Sequence, residues 1–467
     1  MPHPTSDLEN LGYTWVKSDN GSHAMVRQLS NLERMFVILN QHMYGSNCPF
    51  MGANISLQRR DHSLKSEHLN ILQLHTRAVQ AFCQTRWKYP TVAARIIDGD
   101  KASYGVESRE GVEKWAERTV VTVCQEGGWL ALRERLSRES PLPTPDGDCC
   151  LFYLIVRPDE SVQPELREFD ILMHTHHSLT DGSGIRVILN EFLQRLADPL
   201  PNDDIVWGEE SQRLLPASVL LDKIEETESA ISTIISLAPG EGSEKPNKPE
   251  VGLPIYRPDI LGLMSEHRGT LLVSHTFEDP KFLPRLLAIG RRHEVKLTGI
   301  LHAAMLKAVY ESSDIKPDSE DIYHSGSPMD LRNGHLMSEY CDRTIYVNSA
   351  FAIQEMHVPC NLFQTEQGNE NGFWKAAACI SNQWETIRKG NGLAKKADSV
   401  AKVLIEAVAI RNPSKSGVTR PRTCPAFSSD PPGSPSLRGT YPISDYEGLT
   451  MVLKSYQLAT DRMEAVV

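Results

Sequence analysis

The stretch "FDILMHTHHSLTDGSGIRVIL", Phe169–Leu189, joins an apolar run to three histidines within four residues and then to an Asp-Gly turn. Phe169–His176 reads as a buried strand because its apolar character is nearly continuous. Gly184–Leu196 reads as the helix that follows the turn. The polar groups therefore gather where a strand ends and a helix begins. Buried polar groups cost free energy unless they are paired, so a cluster at such a junction marks a site more readily than a packed core does.

Two chemical readings compete there. His174 and His176 lie two apart on a strand and share a face, which is half of a zinc site. The familiar H-x-H-x-D-H arrangement also needs an acid and a histidine immediately downstream. Ser178 and Leu179 stand at those places, so no metal is expected. The other reading is a general base, because a neutral imidazole takes a proton from a hydroxyl, amine or thiol. Asp181, four residues after His177, would orient the turn or pair with an arginine. Gly182 removes a side chain where a substrate would approach.

The chain has 467 residues and a formal net charge of −11, with charged residues at 23%. That length implies two or three domains or one large two-lobed fold. The acidic balance argues against nucleic acid as a partner. Nine scattered cysteines without a C-x-x-C pair argue against a disulfide framework or a cysteine zinc site. The first residues, "MPHPTSDLENLGYTW", lack the pattern of a secretory signal, and no run reaches the length of a membrane span. The expected setting is cytoplasmic with reduced thiols, and Asn20 and Asn54 in glycosylation-like triplets are read as chance.

Along the chain, Met25–Met43 has helical spacing, Phe50–Leu57 reads as a strand, and Leu64–Trp87 as a long helix ending near Tyr89-Pro90. Thr91–Ile97 is strand-like, Gly111–Gln125 passes from helix to strand, and Cys149–Arg157 is a second buried strand. Glu209–Ser236 reads as helix. The Pro/Gly-rich stretch 237–258 is the expected linker. Beyond it come a strand at Thr270–Phe277, a helix pair over Asp279–Glu311, strands at Asp321–Arg332 and Arg343–Gln354, and helix over Trp374–Ile410. Asn412–Pro442 is a long polar segment, and "LTMVLKSYQLATDRMEAVV" closes the chain as a strand. Strands neither alternate strictly with helices nor stand alone, which predicts an α+β fold with a mixed sheet in each of two lobes, residues 1–236 and 259–467.

"HHSLTDG" resembles the H-H-x-x-x-D-G signature of the CoA-dependent acyltransferase superfamily, which includes chloramphenicol acetyltransferase-like enzymes and peptide-synthetase condensation domains. "SNLERMF", "RRHEVKLTGILHAAML", "GSPMDLR" and "RTIYVNSAF" fall in that family's order. "LNQHMYGSNCPFMGANISL", "YRPDILGLMSEHRGTLL" and "TCPAFSSD" resemble the fungal trichothecene 15-O-acetyltransferase family over nearly the whole chain. The resemblance implies two chloramphenicol acetyltransferase-like lobes with an active-site tunnel between them. It implies acetyl transfer from acetyl-CoA, a co-substrate rather than a bound cofactor, to the C-15 hydroxyl of a trichothecene sesquiterpenoid. The alternatives are another fungal alcohol or amine acceptor, or a catalytically impaired CoA-binding relative.

Carried onto this chain, the resemblance makes His177 the base, with neither metal nor covalent acyl-enzyme. Asp181 becomes a brace paired to Arg332, with Arg34 and Arg95 as weaker partners. Asn348 is a candidate oxyanion donor, and His174 and His176 are supporting residues. The expected partners are a small-molecule acceptor and acyl-CoA, acting on a monomer. No D-F-G-W-G motif occurs, which points away from the plant-type branch. The family pattern continues with another strand and a closing helix, so an incomplete second lobe with an exposed last strand is expected. No G-x-S-x-G elbow or Gly-rich nucleotide loop occurs.

Overall fold

The computed structural model describes residues 12–19, 23–42, 47–59, 69–139, 142–158, 166–201, 204–223, 252–254, 272–313, 320–342, 344–364, 370–410, 422–429 and 437–460. In chain order the strands are β1 (Val16–Lys17), β2 (Ala24–Gln28), β3 (Pro49–Arg59), β4 (Arg95–Ile97), β5 (Lys101–Gly105), β6 (Val120–Cys124), β7 (Cys150–Val156), β8 (Glu168–Thr175), β9 (Leu253–Pro254), β10 (Ile322–Asp330), β11 (Phe351–Pro359), β12 (Arg422–Thr423), β13 (Thr440–Pro442) and β14 (Leu449–Thr460). The longer helices are α1 (Asn31–His42), α2 (Ile71–Lys88), α3 (Arg109–Thr119), α4 (Gly128–Glu139), α5 (Gly182–Ala197), α6 (Phe282–Arg292), α7 (Leu297–Ser312), α8 (Glu370–Lys389) and α9 (Leu393–Ile410).

A six-stranded mixed sheet, ordered β13-β14-β3-β8-β7-β6, anchors the first lobe. Only its β6–β7 pair is parallel. β8 is covered on both faces, which explains its near-continuous apolar sequence. On one face Phe169, Ile171 and Met173 pack with Met51, Phe152 and residues of α2 and α5, including Phe82 and Phe192. On the other, Leu172 packs with Phe50, Leu151, Tyr153 and the α4 residues Trp129 and Leu132. Gly52 is required there, because a Cβ would run into the Trp129 ring. Asp170, an acid inside this strand, accepts from the Trp129 amide at 3.0 Å and from Asn54 Nδ2 at 2.7 Å. It thus satisfies an orphan donor at the start of α4, where a negative charge is favoured.

The second lobe is built on the antiparallel β10–β11 pair, in register from Ile322↔Pro359 to Asp330↔Phe351. Tyr323, Met356 and Val358 point inward against Ile300 and Ala303 of α7 and Ala377 and Ile380 of α8. α1 crosses to this lobe. Leu32, Met35 and Phe36 pack with Phe351 and Ala401, and Asp398 accepts from the Leu32 amide at 3.0 Å.

Several elements differ from expectation. Met25–Gln28 is strand, not helix, because β2 pairs with β5 along Ala24–Gln28. A turn closed by Glu33 accepting from the Ser30 amide then starts α1. Pro90–Ala93 is a 3₁₀ turn with proline at its start, and strand begins only at Arg95. Glu209–Arg213 and Ser218–Leu221 are short 3₁₀ turns, and the rest of the expected helix, 224–236, lies outside the described residues. Leu272–Phe277 is not strand, and Val273 and Phe277 are exposed. The linker 237–258 lies outside the described residues except for 252–254, as do 411–421 and 430–436 of the polar segment.

The largest difference concerns the closing strand, expected in the second lobe. β14 instead pairs with β3 from Leu449↔Arg59 to Thr460↔Pro49, inside the first sheet. On its other side β13 pairs only with Thr450–Val452, so the rest of β14 is an open edge among the described residues. The chain therefore returns to the first lobe, and a cut at residues 237–258 does not separate the two sheets.

Candidate active site

The β8–α5 junction sits where the two lobes meet. Asp181 caps α5: its Oδ1 accepts from the amides of Ser183 (3.0 Å) and Gly184 (2.9 Å). Its remaining capacity is spent across the seam. Oδ2 accepts from Arg332 Nη1 at 3.0 Å and from the Ala350 amide at 2.8 Å, and Oδ1 accepts from Arg332 Nη2 at 3.1 Å. Arg332 also donates to Asp330 Oδ1, to the Tyr346 carbonyl and to the Asn348 carbonyl. Burial alone would raise the Asp181 carboxyl. The guanidinium and the Ala350 and Gly184 amides outweigh it and hold the carboxyl below the usual range.

Arg332 is thus the arginine that meets Asp181. Arg95 lies 3.6 Å from Asp148 instead, and Arg34, half-buried on α1, makes none of these contacts. This network also explains why Thr344–Ala350 is not strand. Its backbone is committed to Arg332, Asp181 and Thr180, whose Oγ1 donates to the Val347 carbonyl at 2.7 Å.

His177 is partly exposed among buried neighbours. Its Nδ1 lies 3.1 Å from the Thr180 carbonyl. A carbonyl only accepts, so Nδ1 carries the proton and Nε2 holds the free lone pair. The ring is stacked on Phe36, with centroids 4.0 Å apart and planes 16° apart, and is flanked by Phe351 at 5.3 Å. Ser349 Oγ donates to the His177 carbonyl at 2.6 Å. Burial pushes the imidazole below its ordinary value, with Asp181 and the Thr180 carbonyl opposing part of that shift. The ring is accordingly a neutral, oriented acceptor.

The other expected residues divide. His176 Nδ1 lies 2.8 Å from Ser178 Oγ, a structural contact. His174 is stacked on Phe50 at 4.0 Å, and neither of its ring nitrogens has a partner. Asn348 is engaged across the seam on both ends of its carboxamide. Its Nδ2 donates to the Leu215 carbonyl (3.1 Å) and its Oδ1 accepts from Thr91 Oγ1 (2.8 Å), so its carboxamide ties the lobes together. Gly182 does not open onto empty space either, since a Cβ there would lie 2.7 Å from Leu458 Cδ2 of β14.

Sequence reading did not single out Phe36, Thr180, Gly184, Ser349 or Phe351. Phe36 lies in the quoted "SNLERMF", but nothing in helical spacing pairs it with a histidine 141 positions later. A Cβ at Gly184 would collide with the Val347 carbonyl and Thr180 Oγ1, both fixed by the seam. Gly184→Ala is therefore expected to cost about 2–3 kcal/mol, whereas Gly182→Ala meets only a flexible leucine end and should cost less than about 1 kcal/mol. Urea unfolding of the two variants checks the contrast.

The buried histidines also predict acid lability. Burial lowers His174 and His176 to about 3 and His302 to about 4. Their unfolded value is about 6.5. The unfolded chain thus binds more protons below that pH, so stability is full above about pH 6.5 and is lost as pH falls towards 3. Each ring contributes a slope of about 1.4 kcal/mol per pH unit. Unfolding midpoints between pH 7 and 5 measure it, and His174→Leu should remove one ring's share.

No protein-family model matches the chain. "Acetyltransferase pigO" of Monascus ruber is 27% identical over 153 residues, which is 32% of this chain and 28% of that protein. The chain thus aligns with less than a third of that relative's length. Among solved structures, TRI3 trichothecene 15-O-acetyltransferase from Fusarium sporotrichioides superposes with a TM-score of 0.77 at 14% identity, covering 96% of this chain and 88% of that one. Fusarium sporotrichioides TRI101 with coenzyme A and T-2 gives 0.51 at 11% identity, over 94% and 89%. A starter condensation domain of rhizomide synthetase RzmA with C8-CoA gives 0.50 at 12% identity, over 92% and 82%. By fold, the chain is similar to these two-lobed acetyltransferase and condensation-domain structures.

Proposed function

We propose that this chain is a CoA-dependent O-acetyltransferase that moves an acetyl group from acetyl-CoA to the C-15 hydroxyl of a trichothecene. The observation that carries the reading is the His177 tautomer, with Nδ1–H held by Thr180 and Nε2 left free at the seam. Acceptor and acetyl-CoA meet at Nε2 between the lobes. Nε2 takes the hydroxyl proton as the oxygen attacks the thioester carbonyl, and the tetrahedral adduct collapses with loss of the thiolate. The imidazolium then returns the proton to sulfur. The enzyme's contribution is positioning and proton transfer, with Asp181 and Arg332 holding the turn that aims the ring.

The C-15 regiochemistry is supported by the sequence resemblance and by the superposition on TRI3. The partial pigO match supports acetyl transfer without fixing the acceptor. The test is incubation of purified protein with acetyl-CoA and a 15-deacetyl trichothecene. The expected outcome is a product heavier by one acetyl group, with release of one CoA thiol per turnover. Acetylation of other fungal alcohols but not of this acceptor would move the substrate and keep the chemistry. No thiol release with any acceptor would remove the reading.

A further inference from the structure

The β10–β11 pair has one face packed on helices and one face turned outward. The outward row holds Ile322, His324 and Gly326 on β10, and Ile353, Glu355 and His357 on β11. His324, Glu355 and His357 are all exposed. His324 and His357 are direct cross-strand partners in the register. Glu355 is two residues before His357, so it shares that face. Its partner across the ladder is Gly326, which puts no side chain beside the carboxylate. Three ligand-bearing residues are thus gathered on one paired-strand scaffold.

We propose that this face binds a divalent transition metal of the zinc type through His324, Glu355 and His357. The Glu355 carboxylate lies between the rings, with Oε1 3.0 Å from His324 Nδ1 and Oε2 3.6 Å from His357 Nε2. Donor atoms bound tetrahedrally to zinc at about 2.0–2.1 Å sit about 3.3 Å from one another, close to these separations. One donor atom from each residue lies within 4.8 Å of the others. The imidazoles stand nearly perpendicular, at 82° with centroids 4.9 Å apart, so they can turn nitrogens towards one point without stacking.

Donor chemistry selects the ion. Two imidazoles and one carboxylate suit Zn²⁺, Ni²⁺ or Cu²⁺, whereas Mg²⁺ and Ca²⁺ take oxygen sets. Three protein ligands leave a fourth position to water or to a donor from outside the chain. The site is separate from the acyl-transfer reading. His324 is six residues up β10 from Asp330, about 20 Å at about 3.3 Å per residue, whereas Asp330 already touches the Arg332 network.

A surface ion pair of one glutamate with its neighbours is the competing account, and it would need no metal. Calorimetric titration of the whole chain with zinc chloride at neutral pH separates the two, run on wild type and on His324→Ala, Glu355→Gln and His357→Ala. The substitutions lie on an exposed face, and circular dichroism verifies the fold. One zinc per chain at micromolar concentration, weakened by about ten-fold or more in each variant, is the expected result. No isotherm in wild type, or one unchanged in all three variants because thiols such as Cys124 hold the metal, would overturn the proposal.

Discussion

His177→Ala is expected to lower turnover with acetyl-CoA and acceptor by about 10²–10⁴-fold, the range that a positioned general base contributes. The variant should still fold. The Phe36 stack is worth only about 0.5–1.5 kcal/mol, a small fraction of the stability of a chain with two cores. Because burial holds the imidazole below its ordinary value, the base stays neutral from pH 7 to below about 6.5. The rate should fall with a single proton only beneath that range. Phe36→Ala admits water to the ring and lets its pKa rise, so the acid limb of the pH profile should move to higher pH. Retention of more than about a tenth of wild-type turnover by His177→Ala, judged against that range, would remove the imidazole from the chemistry.

Asp181→Ala is the second large effect, and it is one of stability. The side chains of Arg332 and Asp181 are 0% and 6% exposed. Removing the carboxylate leaves the guanidinium with Asp330 and the Tyr346 and Asn348 carbonyls, and leaves the amides of Ser183, Gly184 and Ala350 without their acceptor. Breaking a buried pair costs about 3–5 kcal/mol, and losing a helix cap costs about 1 kcal/mol. These overlap, so an expected total of about 4 kcal/mol is read from urea unfolding. Arg332→Met should cost a similar amount, because it leaves a buried carboxylate. The double variant Asp181→Ala/Arg332→Met should cost much less than the sum. The sign of the linkage is also fixed. The Asp181 carboxyl is lowered in the folded state, so the pair's contribution is present at neutral pH and is lost only as acid protonates the carboxylate. Additive single and double costs would show that the two residues act apart.

β7 and β8 were legible because a strand buried on both faces must be apolar nearly throughout, whereas the capping of α5 by Asp181 appears only in the structure. The Asp181–Arg332 pair was legible only through resemblance, since 151 residues separate the two. The misreadings have a common source. Ala24–Gln28 has helix-compatible spacing, yet β5 offers it a ladder. Thr344–Ala350 has strand composition, yet Arg332 and Asp181 claim its backbone. The bonds of Asn348 to Thr91 and Leu215 could not be read from its local sequence.

Local chemistry alone determined the strand–turn–helix junction and the gathering of histidines, Asp181 and Gly182 at it, because those depend on residues within a dozen positions of one another; the choice of His177 among the histidines came through resemblance. Tertiary structure decided which nitrogen of His177 is free, that Phe36 lies against it, that Gly184 admits the other lobe, and that the closing strand returns to the first sheet. Each of those depends on groups brought together from distant parts of the chain, where burial, hydrogen-bond competition and close packing settle what local spacing leaves open.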